Sequence, residues 1–206
     1  TVDSSTLGVY MITYNLTDAA GNKAAQATRK VTVSDTTAPA IALKGDAEVR
    51  VEAGTAYVDG GATATDVFEG DLTARLATDN LVDSLKLGEY TVTYRVSDTA
   101  GNEGVGTRKV TVSDTTAPTL ALVGDAEVVH EGGTAYTDAG TVATDSFEGD
   151  LAAKVVVTGV VDITKLGEYT LTYNVSDATG NAAAALTRKV TVVDTAAPVI
   201  TLKGSP

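Results

Sequence analysis

Apolar and polar residues alternate in several short segments of the chain. In the segment 90–96 every second residue is apolar, and these residues are Tyr90, Val92, Tyr94 and Val96. A period of two places successive side chains on opposite faces, which is typical of a β-strand with one buried face. The segment 108–113 alternates in the same way, and the turn-forming sequence SDTAGN lies between the two. This arrangement predicts a β-hairpin.

The same pattern predicts the remaining strands and the core. Gly or Asp turns separate the segments, and no helical periodicity of useful length is present. The strands predicted before the hairpin are 41–43, 48–52, 62–65, 72–78 and 81–83. The residues predicted to face the core are Tyr94, Val96, Val110 and Val112, with Tyr173, Val175, Val190 and Val192 at the equivalent positions. About seven short strands in roughly 80 residues predict an all-β, antiparallel sandwich of immunoglobulin type.

The chain is built from repeats. The sequence DTTAP occurs at 35–39 and 114–118, and DTAAP at 194–198, so its proline recurs about every 80 residues. A constant period of this size is the signature of a tandem array. We therefore predict a fragment of a longer, elongated head-to-tail array of sandwiches. Its predicted domains are 1–35, the C-terminal half of a repeat; 36–114 and 115–194, two complete repeats; and 195–206, the start of a further repeat.

The charge of the chain excludes some classes of partner. Its 206 residues include 27 acidic and 15 basic side chains, which gives a net charge of −12. Such a chain repels nucleic acid and anionic lipid. No apolar run approaches the roughly 20 residues that span a bilayer. We therefore expect no nucleic-acid partner and no membrane insertion of this segment. Cysteine is absent, so disulfides do not reinforce the domains.

Few residues are suited to catalysis. The one histidine, His130, has no counterpart in the preceding repeat and no partnered serine or cysteine nucleophile. Glu69 and Asp71 are the kind of carboxylate pair that serves a glycosidase as acid and base. They recur in both complete repeats, however, and an active site duplicated without variation along an array is not expected. We therefore predict no enzymatic activity.

The acidic loops form a candidate calcium site. In an immunoglobulin-type sandwich the loop between strands B and C, the loop between F and G and the incoming N-terminus lie at one end. A cluster of oxygen ligands repels itself without a cation, and Ca²⁺ accepts six to eight oxygens. The predicted ligands are Asp35, Asp66, Glu69, Asp71, Asp98 and Asn102 at one junction and Asp114, Asp145, Glu148, Asp150, Asp177 and Asn181 at the next. The alternative is that these residues only form turns, since Asp and Asn side chains bond nearby backbone amides.

The order of motifs within a repeat resembles a known family. DTTAP is followed by E-x-G-T-A-Y, by A-T-D-x-F-E-G-D-L, by L-G-E-Y-T-x-T-Y-x-V-S-D-x-x-G-N and by T-R-K-V-T-V. Across the whole chain these motifs are similar to the bacterial immunoglobulin-like tandem repeats of large secreted surface proteins, adhesins and some extracellular enzymes. Family members often carry proline where Gly60 and Ala139 stand. The resemblance implies an extracellular or cell-surface location in bacteria and a spacer or adhesive-stalk role.

The sequence is compatible with two functions. The first is a structural extender or stalk of a large extracellular bacterial surface protein, an adhesin or surface fibre, with calcium stiffening the repeat junctions. Short linkers such as TTAP favour stiffness, and the partners are then neighbouring repeats or other copies in a fibre. The second is a module that binds a surface glycan or protein and is appended to a secreted enzyme. Trp is absent, so the phenylalanines Phe68 and Phe147 are the place to look for such a contact.

Overall fold

The protein is built almost entirely from β-strands. The computed structural model describes residues 1–201, 203 and 204, so part of the segment predicted to begin a further repeat, 195–206, lies outside the described residues. Among the described residues there are two single turns of 3₁₀ helix and no α-helix. The predicted all-β class is confirmed. No helix in the described part of the chain has the length and apolar character needed to cross a membrane.

The chain divides into two compact units, and each is described separately. The first comprises residues 1–51 and 56–112, and the second comprises residues 52–55 and those from 113 onward. The strands that lie or begin in the first unit are β1 (Gly8–Tyr14), β2 (Ala27–Val33), β3 (Ala40–Leu43), β4 (Glu48–Glu52), β5 (Ala62–Asp66), β6 (Gly70–Asp71), β7 (Ala77–Asp79), β8 (Gly88–Ser97) and β9 (Glu103–Ser113). They form a β1-β2 hairpin, a sheet of order β3-β5-β6 and a sheet of order β4-β9-β8-β7.

The second unit repeats this arrangement. Its strands are β10 (Thr119–Leu122), β11 (Glu127–Glu131), β12 (Thr141–Asp145), β13 (Gly149–Asp150), β14 (Val156–Thr158), β15 (Gly167–Asn174) and β16 (Leu186–Val193). The sheet orders are β10-β12-β13 and β11-β16-β15-β14. The strand pairs in these two sheets are antiparallel, except that β11 runs parallel to β16. A three-stranded and a four-stranded sheet in each repeat agree with a small sandwich.

The predicted hairpin and core are confirmed. β8 and β9 pair antiparallel from Gly88 opposite Val112 to Ser97 opposite Glu103, with the turn between them. All eight residues predicted to face the core are at most 5% exposed. Period-two alternation therefore identified both the strands and their buried face, because successive residues of a strand point to opposite sides of its sheet.

The segment predicted as strand 72–78 is different in the structure. Leu72 is buried and precedes a 3₁₀ turn, Thr73–Arg75, and only Ala77–Asp79 is a strand. The turn forms because the Asp71 carboxylate accepts a hydrogen bond from the Thr73 backbone N–H and the Leu72 carbonyl accepts one from Arg75 N–H. The segment 81–83 was also predicted as a strand and lies in none. Both predictions were wrong because local polar contacts overrode strand propensity.

A tyrosine at the start of each long hairpin bonds to the backbone four residues earlier. The hydroxyls of Tyr10, Tyr90 and Tyr169 donate to the carbonyl oxygens of Thr6, Lys86 and Lys165 at 2.9, 2.8 and 2.9 Å. This is the tyrosine corner of immunoglobulin-like sandwiches. The bond fixes the backbone where the chain enters the first strand of the hairpin.

Each unit buries an arginine beside an aspartate. Arg108 is 2% exposed, and its guanidinium contacts the Asp59 carboxylate and the carbonyl oxygens of Lys44 and Asp46. The Tyr94 hydroxyl donates to the other Asp59 oxygen at 2.5 Å. Burial raises the pKa of Asp59, but hydrogen bonds and the arginine charge outweigh this and keep the pKa below its usual value. Arg188, Asp138 and Tyr173 make a similar arrangement in the second unit.

We predict that Asp59→Ala strongly destabilises the first complete repeat. The substitution leaves the Arg108 charge buried without its carboxylate, a loss of about 3–5 kcal/mol in comparable sites. Denaturant unfolding of the protein measures it, with Asp79→Ala in the exposed strand β7 as the control, expected to change stability by less than about 0.5 kcal/mol. Equal losses in the two variants would show that the buried pair contributes nothing specific.

Candidate metal centres at the acidic loops

Three carboxylates converge in the first unit. Asp35 precedes β3, Asp66 is the last residue of β5, and Asp98 follows β8. One carboxylate oxygen from each lies within 4.8 Å of the others. We call this group centre 1. The topology brings the three residues together because the start of β3, the end of β5 and the β8–β9 turn lie at one end of the two sheets.

The second unit contains the same group. Asp114 precedes β10, Asp145 ends β12, and Asp177 lies in the loop after β15. Their carboxylate oxygens again lie within 4.8 Å of one another. We call this group centre 2. All three of its aspartates are buried, whereas in centre 1 Asp35 is half-buried and the other two are buried.

Backbone amides hold one carboxylate oxygen of the aspartate that ends β5 or β12. The Oδ1 atom of Asp66 accepts hydrogen bonds from the N–H groups of Phe68 and Glu69 at 2.7 and 2.9 Å. Asp145 does the same with the residues two and three positions later, at 2.7 and 3.0 Å. The sequence Asp-x-Phe-Glu-Gly thus forms a turn that the aspartate closes, and the closure orients the carboxylate.

Several of the remaining carboxylate oxygens have no hydrogen-bond partner among the described residues. They are the Oδ2 atoms of Asp35, Asp66, Asp114 and Asp145. Asp66, Asp114 and Asp145 are 5%, 6% and 7% exposed, so water reaches them little. A buried carboxylate oxygen without a partner costs free energy. Two such oxygens in each centre are therefore available to accept a ligand.

The environment shifts the pKa values of two aspartates of centre 2 in opposite directions. The pKa of Asp114 is raised, mainly by burial and further by the nearby charges of Asp145 and Asp177. A hydrogen bond from the Thr116 backbone lowers this pKa but does not cancel the increase. Asp177 behaves differently. Burial raises its pKa, but hydrogen bonds from polar groups of the same loop, Asn181 foremost, outweigh the burial and lower the pKa overall. The hydrogen bonds of its own loop therefore favour the ionised form of Asp177.

The predicted asparagines donate hydrogen bonds to two of the three aspartates in each centre. The Asn102 side-chain amide donates to Asp98 Oδ2 at 2.7 Å and to the Asp35 carbonyl oxygen at 3.3 Å. Asn181 makes the same contacts with Asp177 and with the Asp114 carbonyl oxygen, at 2.7 and 3.2 Å. Each asparagine therefore links the hairpin turn to the segment that enters the repeat.

The other predicted ligands do not join the centres. Glu69 bonds to the Thr99 hydroxyl at 2.6 Å and to Arg75 at 2.8 Å, and Glu148 bonds to Lys154 at 2.6 Å. The exposed Asp71 and Asp150 accept hydrogen bonds from the N–H groups two residues later, at 2.9 and 2.8 Å. Of the six residues predicted in each set, the structure therefore brings three carboxylates together, bonds the asparagine to one of them, and places the remaining two in turns and ion pairs.

A glutamate that the sequence analysis did not single out binds the linker. The Glu52 carboxylate accepts hydrogen bonds from the N–H groups of Thr115 and Thr116 at 2.9 and 3.0 Å and from both hydroxyls at 2.7 Å. Glu131 binds Thr195 in the same way, through its N–H at 3.0 Å and its hydroxyl at 2.6 Å. We call these two contacts the linker clamps. The repeated Glu of E-x-G-T-A-Y was the available signal, but its partner is 63 residues away.

Other surface features stand apart from the centres. Phe68 is 44% exposed, whereas its counterpart Phe147 is half-buried. The second unit also carries an apolar groove of about 510 Å³, lined by residues that include Tyr136, Val157 and Val160. The ring Nε2 atom of His130 lies 3.0 Å from the carbonyl oxygen four residues later, so its contact is local.

Comparison with known proteins gives a match along most of the chain. The family model described as "Bacterial surface protein, Ig-like domain" matches residues 1–33, 41–112 and 120–192. A hyalin of Strongylocentrotus purpuratus is 31% identical over 215 aligned residues, which cover 97% of this chain and 18% of the relative. A hyalin of Lytechinus variegatus is 36% identical over 139 residues, 64% of this chain and 26% of the relative. The chain thus spans about a quarter or less of the length of these relatives.

A solved structure is similar over a shorter stretch. A lipoprotein from Bacteroides thetaiotaomicron is 33% identical to 39% of this chain, which corresponds to 40% of that protein, with a TM-score of 0.35.

We predict that Glu52 titrates far below an ordinary glutamate. The hydroxyl and N–H of Thr115 and the hydroxyl of Thr116 lower the pKa of Glu52 from 4.5 to about 2. A carboxylate with a lowered folded-state pKa contributes its stabilisation fully above the unfolded value, so the clamp weakens as pH falls from about 4.5 to about 2. Carbon-detected NMR of the Glu52 carboxyl measures the midpoint. Thr115→Ala should raise it, and a midpoint unchanged by that substitution would contradict the clamp.

Proposed function

The chain belongs to the bacterial surface protein Ig-like domain family, and we propose that its repeats serve as a non-catalytic structural extender of a larger extracellular protein on the bacterial surface. The role of such an extender is to hold a functional domain at a distance from its anchor. It therefore needs stable repeats and linkers that do not bend freely.

The linker clamps are the observation that carries this proposal. Four hydrogen bonds from Thr115 and Thr116 converge on Glu52, so the linker that ends at Pro118 loses much of the freedom of an ordinary one. Pro118 is buried and fixes its own φ angle. The second clamp lacks one hydroxyl, since Ala196 stands where Thr116 does. Linkers held in this way suit a spacer better than a flexible tether.

The bonding of the acidic side chains supports a non-catalytic role. A glycosidase needs one carboxyl group free to donate a proton and another free to attack or to activate water. Glu69 is bonded to Thr99 and Arg75, and Asp71 closes its own turn. Their bonds are those of a structural loop, and the equivalent residues of the next repeat make similar ones.

The proposal is tested by measuring a distance between repeats. The chain contains no cysteine, so Lys86→Cys and Lys165→Cys, at exposed equivalent positions of the two complete repeats, provide unique sites for spin labels. In a head-to-tail array of sandwiches about 30–40 Å long, we expect a narrow distance distribution centred at about 30–40 Å or beyond. A centre below about 25 Å, or a distribution as broad as that of a flexible chain, would contradict a stiff extender.

The same labelled protein tests the clamp. Glu52→Gln removes the charge that the threonine donors bind, so we expect the distance distribution to broaden. Glu48→Gln, at the exposed start of the same strand, removes the same charge without touching the linker and should leave the distribution narrow. Broadening in neither variant would show that the linker is stiff for another reason.

The apolar groove favours a second candidate function, the binding of a glycan or protein. Gly159 lines this groove with a φ of 98°, and a Cβ there would overlap the Thr170 carbonyl oxygen. The first repeat has Asn80 at this position. A glycan array probed with the whole chain tests this function. Binding lost in Val160→Asp but retained in Val129→Asp, a similarly exposed valine on β11, would favour it.

A further inference from the structure

We propose that centres 1 and 2 each bind one calcium ion, through Asp35, Asp66 and Asp98 in the first unit and through Asp114, Asp145 and Asp177 in the second. This inference goes beyond the extender function, because the linker clamps operate without an ion. It also differs from a general affinity of an acidic protein for cations, because it assigns the ion to two defined groups of three residues.

The arrangement of charge is the first argument. Three carboxylates whose oxygens lie within 4.8 Å of one another repel strongly when they are ionised and shielded from water. Arg75 and Lys154 are basic side chains of the same loops, and each is paired with a glutamate outside the group. A divalent cation between the three oxygens turns this repulsion into attraction.

The oxygens without partners are the second, independent argument. In each centre two aspartates present a buried oxygen that accepts no hydrogen bond from the described residues. Their other oxygens are held by backbone N–H groups of Thr37 and Phe68 in centre 1 and of Thr116 and Phe147 in centre 2. The amides fix the direction of each carboxylate and leave the second oxygen available. This division of the two oxygens is what a preformed ligand site requires.

The donor set selects the kind of cation. Every candidate ligand is an oxygen, which suits Ca²⁺ or Mg²⁺ and disfavours zinc, since zinc sites in proteins are built mainly from Cys and His. Ca²⁺ binds oxygens at about 2.3–2.6 Å, so ligand oxygens on opposite sides of one ion lie nearly 5 Å apart. The separations in both centres, all within 4.8 Å, fit this spacing. Mg²⁺ holds its ligands at about 2.0–2.1 Å and retains water more firmly, so we expect it to bind more weakly.

The whole 206-residue chain is the material for the test. After treatment with chelator, isothermal titration with CaCl₂ should show two ions bound per chain. Thermal unfolding in calcium at about 100 times the dissociation constant should occur on the order of 10 °C higher than in chelator. No binding, or an unfolding midpoint independent of calcium, would overturn the proposal. Binding of MgCl₂ as tight as that of CaCl₂ would overturn the assignment to calcium.

A matched pair of variants in one loop locates the ion. Asp145→Asn removes a charge from centre 2, and Asp150→Asn removes the same charge five residues away, where the side chain only closes a turn. Asp145→Asn should reduce the stoichiometry to one or weaken one site at least tenfold, and Asp150→Asn should leave both sites intact. The pair Asp66→Asn and Asp71→Asn repeats the comparison at centre 1. Equal effects within a pair would overturn the ligand assignment.

Unfolding in chelator separates loss of a ligand from loss of the fold. In Asp145→Asn the new side-chain carbonyl oxygen still accepts the two amide bonds of the turn, and one negative charge fewer reduces the repulsion. This variant should therefore unfold in chelator at a temperature equal to or above that of the unsubstituted chain. A lower midpoint in chelator would mean that the carboxylate is structural and would overturn the proposal. The spin-label distances are measured independently, so the extender function and the calcium centres can fail separately.

Discussion

Each unit depends on a guanidinium group buried among backbone carbonyls. A buried cation is costly unless its charge and hydrogen bonds are met, so the segments around Arg108 must bring Asp59 and several carbonyl oxygens within reach together. This requirement fixes the end of β3, the approach to β4 and the start of β5 against the β8–β9 hairpin. Asp66 is at the opposite end of β5, and Asp35 precedes the opposite end of β3, so the carboxylates lie at the end of this sheet away from the arginine.

The sequence predicted the regular strands well and the short segments poorly. Alternation over seven residues, as in 90–96, is a repeated signal that local contacts do not override, and every residue predicted from it to face the core is buried. In 72–78 the regular strand is confined to Ala77–Asp79, because Asp71 and Leu72 favour a tight turn. The sequence predicted that Arg108 and its counterpart in the second unit lie in strands. It did not predict that they are buried, since a charged side chain ordinarily lies at the surface.

The candidate site was predicted in part, because the fold places the loops but individual contacts decide which side chains face the centre. Topology alone places the loops that carry Asp66, Glu69 and Asp71 at one end of the sandwich, so the sequence named all three. Which of them faces the centre depends on where β5 ends and on which backbone amides each carboxylate reaches first. Glu69 is long enough to contact Thr99 and Arg75 instead. Such choices are made by tertiary contacts, which a single sequence does not contain.

The boundaries of the compact units do not coincide with the boundaries of the sequence repeats. Residues 52–55 belong by sequence to the repeat that ends at 114, yet they count with the unit that continues from 113. During synthesis the Glu52 carboxylate therefore precedes its partner Thr115 by 63 residues. Glu52 of one sequence repeat bonds to Thr115 and Thr116, which are the first residues of the next. Because translation runs from the N-terminus, this contact can form only after all of the earlier repeat and the first residues of the next have been synthesised.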